Sequence, residues 1–299
     1  MSRPMTHASV IAAPRVASLL DGYSVELPPR GALDGDWPDL LAPGSQVFVT
    51  CTPRDAPADI VARALDLARL GFAPVPHIGA RHLASLAELD GFLARLRAEA
   101  GVGRVLLIGG DLPAPRGPFA AAGDVIASGL LERHGIASVG IAGYPEGHPR
   151  IAAPVLEAAL SDKLAALAAR GLEPFIVTQF CFEAAPILAW LESLRARGIA
   201  VPVRIGLAGP AGLATLVRFA ARCGIGASAR AIAARPGAMA RLAREHAPDG
   251  IVRDLAAHAP PLAALGVAGL HFFTFAGIAR TVRWAQEASS RGSRPRAAR

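Results

Sequence analysis

The sequence predicts an α/β protein folded as a single-domain (β/α)8 barrel, with extra helices before the last strand. Three observations predict it. Short β-branched or aromatic runs alternate with amphipathic segments rich in Ala, Leu and Arg, the pattern of repeated β-α units. About eight such runs fit into roughly 280 residues, which suits a closed barrel better than an open sheet. A hydrophobic fraction of 52% over 299 residues is enough to fill the core that such a fold encloses.

In chain order the strands are expected at Tyr23–Leu27, Gln46–Cys51, Ala73–His77, Val105–Ile108, Ser138–Ala142, Phe175–Gln179, Val203–Leu207 and Leu270–Phe273. Between the second and third, Ala58–Leu70 reads as a helix. Ile60, Ala64, Leu67 and Ala68 share one face of it, and Pro57 occupies a favourable first turn. The pattern recurs at Leu86–Glu99, Phe119–Arg133, Pro154–Ala169, Pro186–Arg197 and Gly212–Cys223. Gly71, Gly135, Gly171, Gly198 and Gly224 stand where left-handed helix caps are wanted.

Ala227–Ala259 has helical pattern and no obvious strand, so two or three inserted helices are expected there. The uncharged stretch Ala259–Ala279 is long enough to raise the question of a membrane span. Pro260-Pro261, Gly266, Gly269 and His271 interrupt it, so a buried turn, strand and turn is expected instead. The barrel domain should cover residues 1–288 and a basic disordered tail residues 289–299. A doubly wound sheet is the alternative fold, supported by Gly206, Gly209 and Gly212 after a strand. That spacing is GxxGxxG rather than GxGxxG, and no acid follows at the next strand end.

The formal charge of +7 suggests a nucleic-acid binder until it is located. The tail from Ser289 holds Arg291, Arg294, Arg296 and Arg299 with no acid, and aromatic residues make up only 5% of the chain. No nucleic-acid partner and no membrane are therefore expected. Cys51, Cys181 and Cys223 share no ligand or disulfide spacing, which fits a reducing cytoplasm. The opening MSRPMTHASVIAAPR breaks its apolar stretches too early for a secretory signal, so no export is expected.

In a barrel, reactive groups belong where strands end and βα loops begin. Those ends carry Glu26 before Leu27-Pro28-Pro29-Arg30, Thr50-Cys51-Thr52, His77, Gly109-Gly110-Asp111-Leu112-Pro113, Tyr144-Pro145-Glu146-Gly147-His148-Pro149, and Thr178-Gln179-Phe180. Each has a plain alternative. Glu26 could be a structural carboxylate paired with an arginine, and Asp111 could cap a helix or shape a turn. His77 and His148 could be ordinary hydrogen-bonded histidines. Lys163, the one lysine, sits within a helix, which argues against a Schiff base. No metal-ligand spacing is present.

Taken together, Gly110-Asp111-Leu112-Pro113, Tyr144-Pro145-Glu146-Gly147-His148-Pro149, Val177-Thr178-Gln179-Phe180 and Leu270-His271-Phe272-Phe273-Thr274 resemble the methylenetetrahydrofolate reductase family. The resemblance runs from Glu26 to about Thr274. It implies an eight-stranded barrel, noncovalent FAD, NAD(P)H as hydride donor, a folate substrate, and a place in one-carbon metabolism and methionine biosynthesis. A homo-oligomer is expected.

By the same resemblance, Glu26 is the acid that protonates the folate, and Asp111 is the aspartate beside the flavin. Thr52, His77, Gly110, Ala122, Tyr144, His148 and Lys163 fall on flavin-contact positions. Gln179, Phe219 and Phe273 fall on the substrate side. The departures from the family are Gly206-Leu207-Ala208-Gly209-Pro210 after strand seven, Thr215 in place of a glutamine, and Ala276 and Gly277 in place of an asparagine and an arginine. All lie on the folate and nicotinamide side. Two other readings follow from them, a divergent member that oxidises methyltetrahydrofolate and a folate- or flavin-binding protein without turnover.

Overall fold

The computed structural model of the chain describes residues 16–33, 35–223, 245–275 and 277–293. Its barrel strands are β1 Ser24–Leu27, β2 Gln46–Val49, β3 Ala73–Gly79, β4 Arg104–Ile108, β5 Ser138–Gly143, β6 Glu173–Thr178, β7 Val203–Ala208 and β8 Val267–Phe273. They close in the order β1-β8-β7-β6-β5-β4-β3-β2, all parallel. Each lies on a run of the sequence where a strand was expected, so the (β/α)8 reading holds and the doubly wound sheet is excluded.

Period-two alternation divides the side chains between two cores. Val25, Leu27, Val47 and Val49 face outward and pack with helix residues such as Ile60, Leu67, Leu89 and Leu93. Phe48, Val75, Leu106, Phe175 and Val177 form a separate cluster inside the barrel, with Phe48 fully buried. A barrel interior is thus a filled column of side chains. Register places the polar residues of β1 in that column, since Ser24 is paired with His271 and Glu26 with Phe48.

The helix Pro57–Arg69 begins at the proline and buries Ile60, Val61, Ala64 and Leu67. Gly71, Gly135, Gly171 and Gly198 all take positive φ, as helix caps should; Gly224 lies outside the described residues. The segment expected as one helix over Phe119–Arg133 is instead two short helices, Ala122–Ala127 and Leu130–Arg133. Gly129, at φ +75°, breaks it, and Asp124 accepts from the amides of Ala120 and Ala121 at the first helix start.

Within the expected insertion, residues 224–244 lie outside the described residues. Glu245–His246 pairs antiparallel with Ala211–Gly212, a strand that the helical pattern concealed, and Asp249–Ala257 is a helix. The uncharged stretch supplies a short 3-10 turn at Leu262–Leu265 and then β8. Among the described residues no helix is long and apolar enough to cross a membrane. The closing helix runs from Ile278 to Ser293, past the expected boundary at 288, and Arg291 there reaches Asp249 at 3.3 Å.

Candidate active site

Glu26 sits at the end of β1 with its carboxyl turned into the barrel. Burial pushes its pKa up to about 7, with the nearby charge of His77 pulling the other way. Two imidazoles flank it. His271 Nε2 lies 3.5 Å from Glu26 Oε2, while its Nδ1 is 3.0 Å from Ser24 Oγ. Ser24 Oγ also lies 3.3 Å from the Leu270 carbonyl; where the hydroxyl donates there, it accepts Nδ1–H and leaves Nε2 bare toward Glu26.

The distance of 3.5 Å is a close approach, not an ion pair. Burial drives His271 down to about 3, helped by the charge of Arg204, and His77 down to about 4. Both rings are therefore neutral near pH 7, and Glu26 faces neutral dipoles. His77 Nε2 is buried and has no hydrogen-bond partner among the described residues. Phe48 lies between the two rings, with centroids 5.9 Å from His77 and 4.5 Å from His271. Burial in these surroundings is what raises the Glu26 pKa, so that part of the carboxyl stays protonated near pH 7.

The other strand ends form the surrounding rim. Thr52 donates both its amide and its hydroxyl to Asp55, at 2.9 and 2.6 Å, and Arg30 holds the other Asp55 oxygen at 2.9 Å. The loops after β1 and β2 are thereby tied together. After β4, Gly110 takes φ +92°, and a Cβ there would come within 2.8 Å of His82 Nε2, so only glycine fits both the angle and the space. Arg81 binds the carbonyls of Leu112, Pro113 and Ala120, and its amide donates to Gly109. Asp111 stands exposed on the loop so held.

After β5, the ring of Tyr144 meets His148 edge to face at 5.4 Å. Burial lowers the His148 pKa, and Arg150 adds to the effect. After β6, the Gln179 amide donates to Gly143, and its side-chain oxygen accepts from the Phe180 amide at 3.0 Å. Phe180, Phe182, Phe219, Phe273 and Phe275 make an aromatic cluster on this side, with Phe219 stacked on Phe275 at 4.2 Å. Beside it lies a cleft of about 500 Å³, lined partly by Phe182, Glu183, Ile251 and Asp254.

Most of the residues singled out in the sequence thus meet at one end of the barrel. Ala122 is buried at the start of its short helix. Lys163 lies within the helix Ala153–Ala169, where burial lowers its pKa, and among the described residues no hydrogen bond joins it to the rim. Ala276 is outside the described residues. Ser24, Arg81, His82, His271 and Phe275 were not singled out. Of these, only His271 had a sequence signal, its place within Leu270-His271-Phe272-Phe273-Thr274.

A parallel barrel that gathers an acid with a pKa of about 7, neutral imidazoles and aromatic faces at its C-terminal rim is an enzyme scaffold. The chain belongs to the methylenetetrahydrofolate reductase family, whose model, described as Methylenetetrahydrofolate reductase, matches residues 52–277. That membership makes it an oxidoreductase of methylenetetrahydrofolate chemistry. The matched stretch begins after β1, so the case for Glu26 rests on its geometry.

Proposed function

We propose that this chain is an FAD-dependent methylenetetrahydrofolate reductase that takes NAD(P)H as hydride donor and forms 5-methyltetrahydrofolate. The observation that carries this is the buried carboxyl of Glu26, raised to about 7 at the rim. A methylene bridge must open to an iminium before it can accept hydride, and opening is favoured when the departing nitrogen is protonated. Glu26 is an acid of matching strength, and the neutral His271 ring beside it, with a pKa of about 3, does not take its proton.

The rim suits a flavin in two respects. His77 Nε2 is a buried polar atom lacking a partner, and a Cβ at Gly109 would meet nothing within 4 Å, so a flat group can approach the backbone there. Gly110, Asp111, Tyr144 and His148 would hold it, with Thr52 acting through its loop. When bound, the flavin supplies a two-electron hydride carrier. The aromatic cluster, with Phe273 at its inner edge and Phe219 further out, offers a stacking surface for the flat folate ring, and Gln179 a polar contact.

Purified protein supplied with FAD should quench flavin fluorescence. Anaerobic NADH or NADPH should bleach the visible band, and methylenetetrahydrofolate should restore it. Failure to bind FAD would remove the cofactor from the proposal. Bleaching without reoxidation would remove the folate.

A further inference from the structure

The end of the barrel opposite the rim carries two arginines that the proposed chemistry does not use. Arg104 at the start of β4 and Arg204 near the start of β7 have the inward parity of Leu106 and Gly206. Arg104 lies 5.2 Å over the ring of Phe175, and its Nε donates to Ser138 Oγ at 3.1 Å. Arg204 Nη1 is 3.1 Å from the Gly22 carbonyl and 3.5 Å from that of Leu270. Gly269 in β8 leaves it space, since a Cβ there would sit 3.1 Å from the same nitrogen. Both guanidiniums are therefore held in place, each by only part of its donor set.

Among the described residues, neither guanidinium forms an ion pair with a carboxylate. Glu173 and Asp21, the acids nearest in sequence to this end, are exposed and make no such contact. Arg104 and Arg204 are both half-buried rather than sealed inside the barrel. Burial, followed by the charge of Arg104, lowers the Arg204 pKa to about 10. Two cations with inward parity at the same end of the barrel, fixed by a hydroxyl, carbonyls and a ring and without a carboxylate partner among the described residues, favour a dianion with several acceptor oxygens.

We infer that the N-terminal mouth of the barrel is an oxyanion site, in which Arg104 and Arg204 together bind one small tetrahedral dianion of the phosphate class. Free phosphate and the phosphoryl group of a small phosphomonoester share this chemistry. The site lies at the end of the barrel away from Glu26, so its occupation should be independent of FAD.

Equilibrium dialysis of the full chain against labelled inorganic phosphate, with and without excess FAD, tests this directly. One phosphate per chain, displaced by unlabelled phosphate and unaffected by chloride at matched ionic strength, is the expected result. A rise in Tm of about 2–4 °C on saturation should accompany it. Arg204→Gln and Arg104→Gln should each weaken binding at least tenfold, and Arg204→Lys, which keeps the charge but loses the fork, should fall between. Competition by glycerol phosphate as strong as that by phosphate would assign the site to a phosphomonoester, and weaker competition to the free ion. Absence of saturable binding, loss of binding when FAD is added, or full binding in both glutamine variants would overturn the inference.

Discussion

The two ends of this barrel are made by the same eight strands and hold opposite chemistry. At the C-terminal rim, Glu26, His77 and His271 are buried; near pH 7 both imidazoles are neutral and Glu26, with a pKa of about 7, is partly protonated. At the N-terminal mouth, Arg104 and Arg204 are half-buried and held by a hydroxyl, carbonyls and a ring. The two ends are joined by a column of aromatic rings. Phe48 touches both histidines and lies 6.5 Å from Phe175, and Phe175 carries Arg104. Alternation along a strand decides which residues face inward; exposure at each end then decides whether they ionise.

The largest expected effect breaks the comparison at the rim. Glu26→Gln keeps the shape and removes the proton, so flavin reduction by nicotinamide should be nearly unchanged. Reoxidation by methylenetetrahydrofolate should slow by roughly 100 to 10,000-fold, the usual worth of general acid catalysis. Stopped-flow timing of the two half-reactions checks it. Equal losses in both would make Glu26 a structural residue.

Phe48→Ala would break the column itself. A fully buried ring among Val75, Leu106 and Phe175 should cost about 3–5 kcal/mol when removed. Water admitted beside His77 and His271 should also raise both imidazole pKa values toward 6.5, which NMR titration can follow. Urea denaturation that shows a loss under about 1 kcal/mol would mean that the column collapses to fill the space.

The fold was largely legible from the sequence because its signals are local. Alternation at period two and glycine caps need only a few neighbouring residues, and the strands Gln46–Val49 and Val203–Ala208 were read closely in this way. The helix break at Gly129 was missed because an apolar pattern continues through it on both sides. Within the site, Glu26 and Asp111 were visible through motif order. Their supports were not. Ser24 reaches His271 across 247 positions of chain, and Cys51 reaches His82 only once β2 and β3 are paired. Contacts set by closure of the barrel have no local pattern to read.

Stability against pH should sharpen the contrast between the two ends. The folded pKa of Glu26 is raised, so between about pH 4.5 and 7 the unfolded chain ionises first and stability falls as pH rises, by about 3 kcal/mol in full. His77 and His271 have lowered folded pKa values, so stability falls as pH drops below about 6.5, as the unfolded imidazoles take protons. Glu26→Gln should therefore gain stability over wild type at pH 8 and lose that advantage at pH 4. Thermal melts across this range test the sign, and an advantage independent of pH would contradict the buried acid. Arg204, with a pKa of about 10, stays charged throughout the range and should add nothing to it.

A smaller effect concerns the donor. Gly277 is exposed and brings no side chain to the loop after β8, where the family resemblance leads one to expect a guanidinium. Each missing charged hydrogen bond is worth about 1.5–3 kcal/mol, so high Michaelis constants for both NADH and NADPH are expected. Methyltetrahydrofolate should then reduce the flavin readily by comparison, as a chain working oxidatively would require. Fast reduction at micromolar NADH would restore the biosynthetic direction.

The smallest effect tests how Thr52 acts. The family resemblance makes it a flavin contact, yet its amide and hydroxyl are both given to Asp55, which Arg30 holds from the neighbouring loop. Those bonds hold the Asp55 carboxyl below the ordinary carboxylate range, although its partial burial pushes the other way. If Thr52 works by tying the loops, Thr52→Ser should retain FAD affinity while Thr52→Val loses the hydroxyl bond, worth about 0.5–1.5 kcal/mol, and weakens FAD by roughly three- to tenfold. Asp55→Asn should match the valine variant, because it weakens the same tie without touching position 52. Fluorescence titration of the three variants decides the matter. A loss in Thr52→Val with none in Asp55→Asn would place the hydroxyl on the flavin instead.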